Sequence, residues 1–306
     1  EYRMKRIAVV GAGVIGVTTA WYLRRHGFDV TVHDREAGPA LATSAGNAGI
    51  IAPGYVTPWA APGMPAKLAS YLLQAESPII FRPTLSLAQW RWIARWLANC
   101  TPQRYRRNRE RMQRLARYSR ECLHRLREET GIEDNGRQGY LQLFRTIQDI
   151  DLNAPARRML DDQGVRYTLL DAAGARAREP ALRASTPLAG ALYLPDDESA
   201  DCQLFTRRLA ERAAADGVRF VFGREVTAIR HDGGRVTGLL LARHRIAEAN
   251  TTDCDAVVVA AGVASGGLLQ RFGIRVPIYP IKGFSATIDL RPDAPAPAQA
   301  LVDEAY

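Results

Sequence analysis

The run Gly11-Ala12-Gly13-Val14-Ile15-Gly16 constrains this chain more than any other feature, because of what stands on either side of it. Residues 5–10 form a short β-branched run, apolar from Ile7 to Val10, residues 17–25 favour a helix, and residues 29–33 form a second strand-like stretch ending at Asp34. Gly27 suits the turn between that helix and the second strand. Strand, tight turn, helix and strand make a βαβ unit of the dinucleotide-binding kind. In such a unit Gly11 permits the turn, Gly13 lets the backbone reach a pyrophosphate, and Gly16 lets helix and strand pack closely. The helix N-terminus then faces the phosphates. An acid at the end of the second strand, here Asp34, accepts a hydrogen bond from a ribose hydroxyl and repels a 2′-phosphate. A bare glycine triplet is a weak signal; this context makes it specific.

The same unit serves NAD or FAD, so the following residues have to separate them. An NAD dehydrogenase usually continues with further βαβ units after Asp34. This chain enters Thr43-Ser44-Ala45-Gly46-Asn47-Ala48-Gly49 instead, a loop of small and hydroxyl residues suited to hydrogen-bonding a flavin pyrophosphate and ring. Gly, Ala and Pro persist to about residue 65, a composition that favours a long loop over regular elements.

Helices are expected next. In residues 86–97 one face carries Trp90, Ile93, Ala94 and Leu97, widened by Trp92 and Trp96, against a narrow stripe of Arg91 and Arg95. A longer helix over about 102–129 has an apolar stripe of Met112, Leu115, Tyr118, Cys122 and Leu126, and Gly131 ends it. Strands are expected at 140–144, 165–170 and 189–194, a helix at 154–163, and a turn at Pro195-Asp196-Asp197. From Asp201 the order becomes regular: helix 203–214, strands 218–222, 226–231 and 235–242 with a hairpin turn at Asp232-Gly233-Gly234, then a buried strand over 255–259 running into Ala260-Ala261-Gly262. The fold class is therefore α/β: a discontinuous Rossmann-like FAD-binding domain over 1–55 and 196–278, with an inserted α+β substrate domain over 56–195 and 279–306.

Length and composition permit this, since 306 residues at 47% hydrophobic content can bury a full core. No h-region of a secretory signal and no apolar spanning stretch is present, so a cytosolic location is expected. Met4 before Lys5 and Arg6 reads as a natural start, with Glu1, Tyr2 and Arg3 ahead of it. The cysteines, Cys100, Cys122, Cys202 and Cys254, are widely spaced without a C-x-x-C pair, which argues against a zinc site or disulfide framework; no metal is expected. The net charge of +9 is concentrated, with ten arginines between Arg104 and Arg127. A solvated helix face and an anionic surface both explain such a cluster; no nucleic-acid motif accompanies it, and nucleic acid is not expected as a partner. His26, His33, His124, His231 and His244 all read as surface or packing residues.

Several motifs in one order carry a family resemblance. The glycine fingerprint, Thr43 to Gly49, Ala52-Pro53-Gly54-Tyr55, Pro58-Trp59-Ala60-Ala61-Pro62-Gly63, Gln142-Leu143-Phe144-Arg145-Thr146, Asp201-Cys202-Gln203-Leu204-Phe205-Thr206 and Tyr279-Pro280-Ile281-Lys282-Gly283 together resemble the D-amino acid oxidase-like family of FAD-dependent oxidoreductases. Within it they are most similar to the branch of D-amino acid dehydrogenases, in the smaller of that enzyme's two chains. The resemblance runs through essentially the whole chain. It implies FAD as cofactor, held by Gly11, Ala12, Gly13, Val14, Ile15, Gly16, Asp34 and Arg35 at its ADP half. Thr43, Ser44, Gly46, Asn47, Ala48 and Gly49 then approach the pyrophosphate and flavin, Val226 presents backbone to the adenine, and Ala261 and Gly262 lie near the ribityl chain. Ala45-Gly46 stand where many relatives carry Phe-Ala.

The activity implied is oxidative deamination of a small-molecule D-amino acid to a 2-oxo acid and ammonia, with electrons passed to a membrane quinone or another electron-transfer partner. Sarcosine, glycine, proline and hydroxyproline oxidases share much of the pattern, so an oxygen-using enzyme of the same fold stays open, as does an inactive FAD-binding fragment. The family pattern continues past Tyr306 with a strand and a glycine-containing helix that complete the flavin site. A substrate carboxylate calls for Arg, Lys or Tyr; Tyr55 and Lys282 are the candidates, Lys282 opening a strand, with Arg145 behind them at the end of another. Tryptophan beside arginine at 86–97 is the composition of an interfacial helix, which places the chain at the inner face of the cytoplasmic membrane as a peripheral protein. Packing of that helix on its own domain explains the same pattern.

Overall fold

In the computed structural model, residues 4–72, 82–243, 246–289, 291 and 295–303 are described. Glu1, Tyr2, Arg3, His244 and Tyr306 lie outside them. The chain divides into two compact units, one formed by 1–48, 127–134 and 201–286, the other by 49–126, 135–200 and 287–306.

The first unit is built on a parallel sheet. Arg6–Val10 is flanked by Ala256–Val259 and by Asp29–His33, and Arg219–Val221 forms the edge beyond Asp29–His33. Strands covered on both faces read as continuous apolar runs, and Val9, Val30 and Val32 have no exposed surface. Helix Val14–Arg25 buries Val17, Ala20 and Trp21, and it packs against helix Cys202–Ala215. Asp201 caps the latter by accepting from Leu204 N–H at 2.9 Å.

A three-stranded antiparallel sheet follows, made of Arg224–Asp232, Arg235–Arg243 and Ile246–Asp253. Val226, Leu239, Leu241 and Cys254 join Ala8 and Val10 in one core. The third strand was not expected. Its sequence is largely polar, and what makes it a strand is the ladder offered by residues 238–243.

The second unit is a mixed sheet in the order Ala300–Asp303, Arg137–Phe144, Gly190–Ser199, Ile50–Ile51, with Thr168–Asp171 also paired to Gly190–Ser199. Alternation along the strands gives it two apolar faces. Tyr140, Phe144, Leu192 and Leu194 pack with Leu160 on one side; Leu141, Leu143, Ala191 and Tyr193 pack with Ala175 on the other.

Four local expectations fail, each for a tertiary reason. Pro195-Asp196-Asp197 lies inside a strand: Gln138 pairs with Glu198 and Tyr140 with Leu194, so these three residues bulge opposite Gly139, where a proline's missing N–H does no harm. In helix Leu87–Asn99 the inward residue is Gln89, with Trp92, Ile93 and Trp96 half-buried and Trp90, Ala94 and Leu97 exposed. Gln89 accepts from Thr84 N–H and hydroxyl at 2.7 and 2.8 Å and donates to Arg82 O at 3.0 Å, and those bonds turn its face inward.

Helix Pro102–Thr130 buries Arg109, Gln113 and Leu126, while Leu115 and Tyr118 are exposed. Polar pairing selects that face: Arg120 reaches Asp196 O, and His124 lies 3.0 Å from Glu198. Lastly, Lys282 was expected to open a strand, yet residues 279–283 carry no regular element among the described residues, because no strand pairs with them.

Candidate functional site

The glycine turn is held from three sides. Gly11 adopts φ +107 and donates to His33 O at 2.8 Å; a Cβ added to it would stand 2.4 Å from Ala260 O. Only glycine satisfies both demands. A Cβ on Gly16 would stand 1.8 Å from Gly11 O, so helix and turn touch backbone to backbone. Gly13 is the helix N-cap and offers no side chain, and the first turn of Val14–Arg25 contains no acid. The positive end of the helix dipole therefore has no carboxylate of its own, the condition in which such an end accepts a phosphate.

Two side chains close the cradle. Ser44 Oγ accepts from Val14 N–H at 3.0 Å, which brings the loop after Asp34 onto the helix start. Asp34 accepts from Ala12 N–H at 2.5 Å through one oxygen and from Glu36 N–H at 2.9 Å through the other. Each carboxylate oxygen keeps a second lone pair for a ribose hydroxyl. Thr43, Gly46, Asn47 and Ala48 are exposed along the same loop, and Ile15 is exposed at the helix start. Glycine turn, strand-end carboxylate and hydroxyl loop thus meet at one place, with the chemistry a dinucleotide such as FAD requires.

Other residues expected at the cofactor have different surroundings. Arg35 is exposed and pairs with Glu36 at 3.3 Å. The Val226 side chain is buried in the core, leaving its strand backbone as the group it could present. Ala261 and Gly262 stand where Ala256–Val259 runs out, and Ala261 Cα lies 3.3 Å from the Cβ position of Gly11. Gly49 belongs to the second unit; its φ is +69, and a Cβ there would stand 1.8 Å from Ala200 O. That glycine is required by packing.

The two carboxylate-binding candidates fall in different units. Lys282 is exposed in the first, its Nζ 5.0 Å from the Phe284 ring. Tyr55 is in the second, its ring 4.9 Å from that of Tyr140, and it lines a cavity of about 390 Å³ together with Arg145, Gln142 and Arg109. Arg145 bonds Asp303 and donates to Pro187 O at 2.9 Å.

Sequence reasoning missed Asp197, which is buried and accepts from Gly54 N–H at 3.0 Å and Tyr55 N–H at 3.1 Å. Burial pushes its carboxyl up to about 6, against the pull of those two bonds and of Arg120. It missed Ala260, the wall behind Gly11, and Arg109, one arginine among ten. His33 is buried at the end of its strand, and burial lowers its imidazole to about 4. The cysteines are free, with Cys254 buried.

Comparison with known proteins agrees with this geometry. Residues 6–305 match the DAO family, described as FAD dependent oxidoreductase. The chain is 48% identical over 303 residues to D-amino acid dehydrogenase of Rhizorhabdus wittichii, covering 98% of this chain and 71% of that protein. It is 46% identical, with the same coverage, to D-amino acid dehydrogenase of Granulibacter bethesdensis. Among solved structures it resembles glycine oxidase from Bacillus cereus, with a TM-score of 0.58 and 20% identity, over 88% of this chain and 58% of that one. That likeness is one of fold. With its glycine cradle, strand-end acid and match over residues 6–305, the chain belongs to the DAO family of FAD-dependent oxidoreductases.

Proposed function

We propose that this chain is an FAD-dependent D-amino acid dehydrogenase, converting D-amino acids to 2-oxo acids and ammonia. The observation that carries the reading is the near-half identity, over 98% of the chain, to proteins named D-amino acid dehydrogenase. When bound, FAD supplies the two-electron acceptor for the hydride leaving the carbon that bears the amine, and water hydrolyses the resulting imine. The chain's own work is orientation and electrostatics. In this reading the first unit holds the cofactor: the Gly11–Gly16 turn and the start of Val14–Arg25 take the pyrophosphate, Asp34 the ribose, and residues 43–48 the flavin end. Tyr55 and Lys282 are each, separately, a candidate to bind a substrate carboxylate.

The acceptor we assign is a quinone at the inner face of the cytoplasmic membrane. Among the described residues no helix is long and apolar enough to cross a membrane. Helix Leu87–Asn99 exposes Leu87, Trp90 and Leu97 beside Arg91 and Arg95, a pairing suited to lying on an anionic bilayer.

The test is anaerobic. The purified chain, loaded with FAD, is expected to lose its visible flavin absorbance on addition of D-alanine or D-proline and to keep it with glycine and sarcosine. Bleaching by glycine or sarcosine, with peroxide released in air, would replace this reading with an oxygen-using amine oxidase. A chain that takes up no FAD would be a non-catalytic fragment.

A further inference from the structure

The second unit's cavity is lined on its apolar side by Phe144, Leu160, Leu192 and Leu194, and on its polar side by Thr57, Tyr105, Arg109 and Gln142. Arg109 is the unusual member. Its residue is 4% exposed, and its Nε and Nη1 make no hydrogen bond among the described residues. No carboxylate pairs with it there. Burial pulls the guanidinium below its ordinary value, partly offset by the neighbouring Tyr105, but an arginine remains protonated. A buried cation without a counter-ion is costly, and proteins keep one where an anion completes it.

The surroundings fit that use. Tyr105 stands one helical turn before Arg109, and its hydroxyl shares a 2.5 Å hydrogen bond with Thr57, which fixes both at the cavity wall. Lys67 adds a second cation to the lining and is exposed. Arg145, also in the lining, already serves Asp303 and Pro187 O. Among the described lining residues the acid is Asp149, whose carboxylate accepts from Thr146 N–H at 2.9 Å and hydroxyl at 2.8 Å. The cavity thus holds a free guanidinium, an acid at another part of its wall, and leucine and phenylalanine around a volume of about 390 Å³.

We propose that this cavity binds a small monocarboxylate with a short apolar tail, its carboxylate paired with the Arg109 guanidinium. Amino acids and 2-oxo acids share that carboxylate. The proposal rests on the D-amino acid reading only for the choice of probes. The Arg109 guanidinium faces the carboxylate, the tail lies against Leu192 and Leu194, and an ammonium, where present, is drawn to Asp149.

The test is calorimetric titration of the full chain with D-alanine, pyruvate and D-alaninamide. D-alanine and pyruvate are expected to bind and D-alaninamide, which lacks the carboxylate, to fail. Tighter binding of D-alanine than of pyruvate would identify the amino acid as occupant, and the reverse order the 2-oxo acid. Arg109→Leu should weaken both acids by about 10- to 100-fold, the worth of a charge-assisted pair. Arg109→Lys, which keeps the charge and loses the planar fork, should fall between parent and Leu variant. Thermal melting checks that both variants fold; removal of an unpaired buried charge is not expected to lower the midpoint.

The proposal is overturned if the parent binds neither acid, if D-alaninamide binds as well as D-alanine, or if Arg109→Leu binds like the parent. Because binding is read without turnover, its failure leaves flavin bleaching by D-amino acids untouched. Absent bleaching, in turn, leaves carboxylate binding intact.

Discussion

A Gly16→Ala variant is expected to fold and to emerge from purification without flavin. The added methyl would sit 1.8 Å from Gly11 O and 2.9 Å from Gly11 C, both backbone atoms that cannot swing aside. Ordinary contact lies near 3.5 Å, so helix or turn must move by roughly 1.5 Å. Gly11 cannot give way, because its own Cβ position is closed by Ala260 O at 2.4 Å and its N–H is tied to His33 O. The helix start therefore shifts, and with it Val14 N–H, now on Ser44, and the amides expected to meet the pyrophosphate. Overpacking of this kind costs about 1–3 kcal/mol in the fold, and misaligned phosphate donors weaken FAD by about 100-fold or more.

The measurement is flavin absorbance retained after gel filtration with excess FAD, beside circular dichroism and a melting curve. Gly267→Ala is the control. It lies in helix Ser265–Gln270 with no described residue beyond its chain neighbours and its own helix backbone within 4 Å of its Cβ position, and it should retain the parent's colour. Equal FAD retention in Gly16→Ala would overturn the assignment of this turn to the pyrophosphate.

The same contrast explains what could be read in the sequence. Gly11, Gly13, Gly16 and Asp34 were legible because their roles follow from local rules: a positive φ, an N-cap without a side chain, a strand end about 20 residues on. Ser44 was legible from its composition and the family pattern. Ala260 was not, since an alanine backing a turn carries no local signal and acts through its carbonyl. Arg109 resembles nine other arginines in its stretch, and only the packing of its helix decides that this one faces a cavity. Pro195-Asp196-Asp197 has turn chemistry, and the bulge opposite Gly139, set by a strand more than fifty residues away, overrides it. Local conformational rules survive in the primary sequence; burial and long-range pairing do not.

Two buried groups with opposite displacements should give two opposite pH dependences, each exposed by one variant. His33 is lowered from 6.5 to about 4 by burial. A depressed pKa contributes stability that is present above 6.5 and lost as pH falls through about 4, because the unfolded chain takes up the proton first. Asp197 is raised from 3.8 to about 6, again by burial. A raised pKa contributes stability that is present below 3.8 and lost as pH rises through about 6. At 1.36 kcal/mol per pKa unit, each amounts to about 2–3 kcal/mol between pH 4 and pH 7.

The parent conceals both effects, since they run against each other over nearly the same window. His33→Leu removes the first, so relative to the parent it should be about 2–3 kcal/mol more stable at pH 4 than at pH 7. Asp197→Asn removes the second and should show the reverse, gaining on the parent as pH rises. The Asn side chain also sets its amide against one of the N–H groups of Gly54 and Tyr55, which costs a constant amount at every pH and cancels from the difference. Urea midpoints of parent and each variant at pH 4, 5, 6 and 7 read the effect directly. A difference that stays flat across that series would mean that the group concerned titrates alike in folded and unfolded chains, and that its burial is not what the fold imposes.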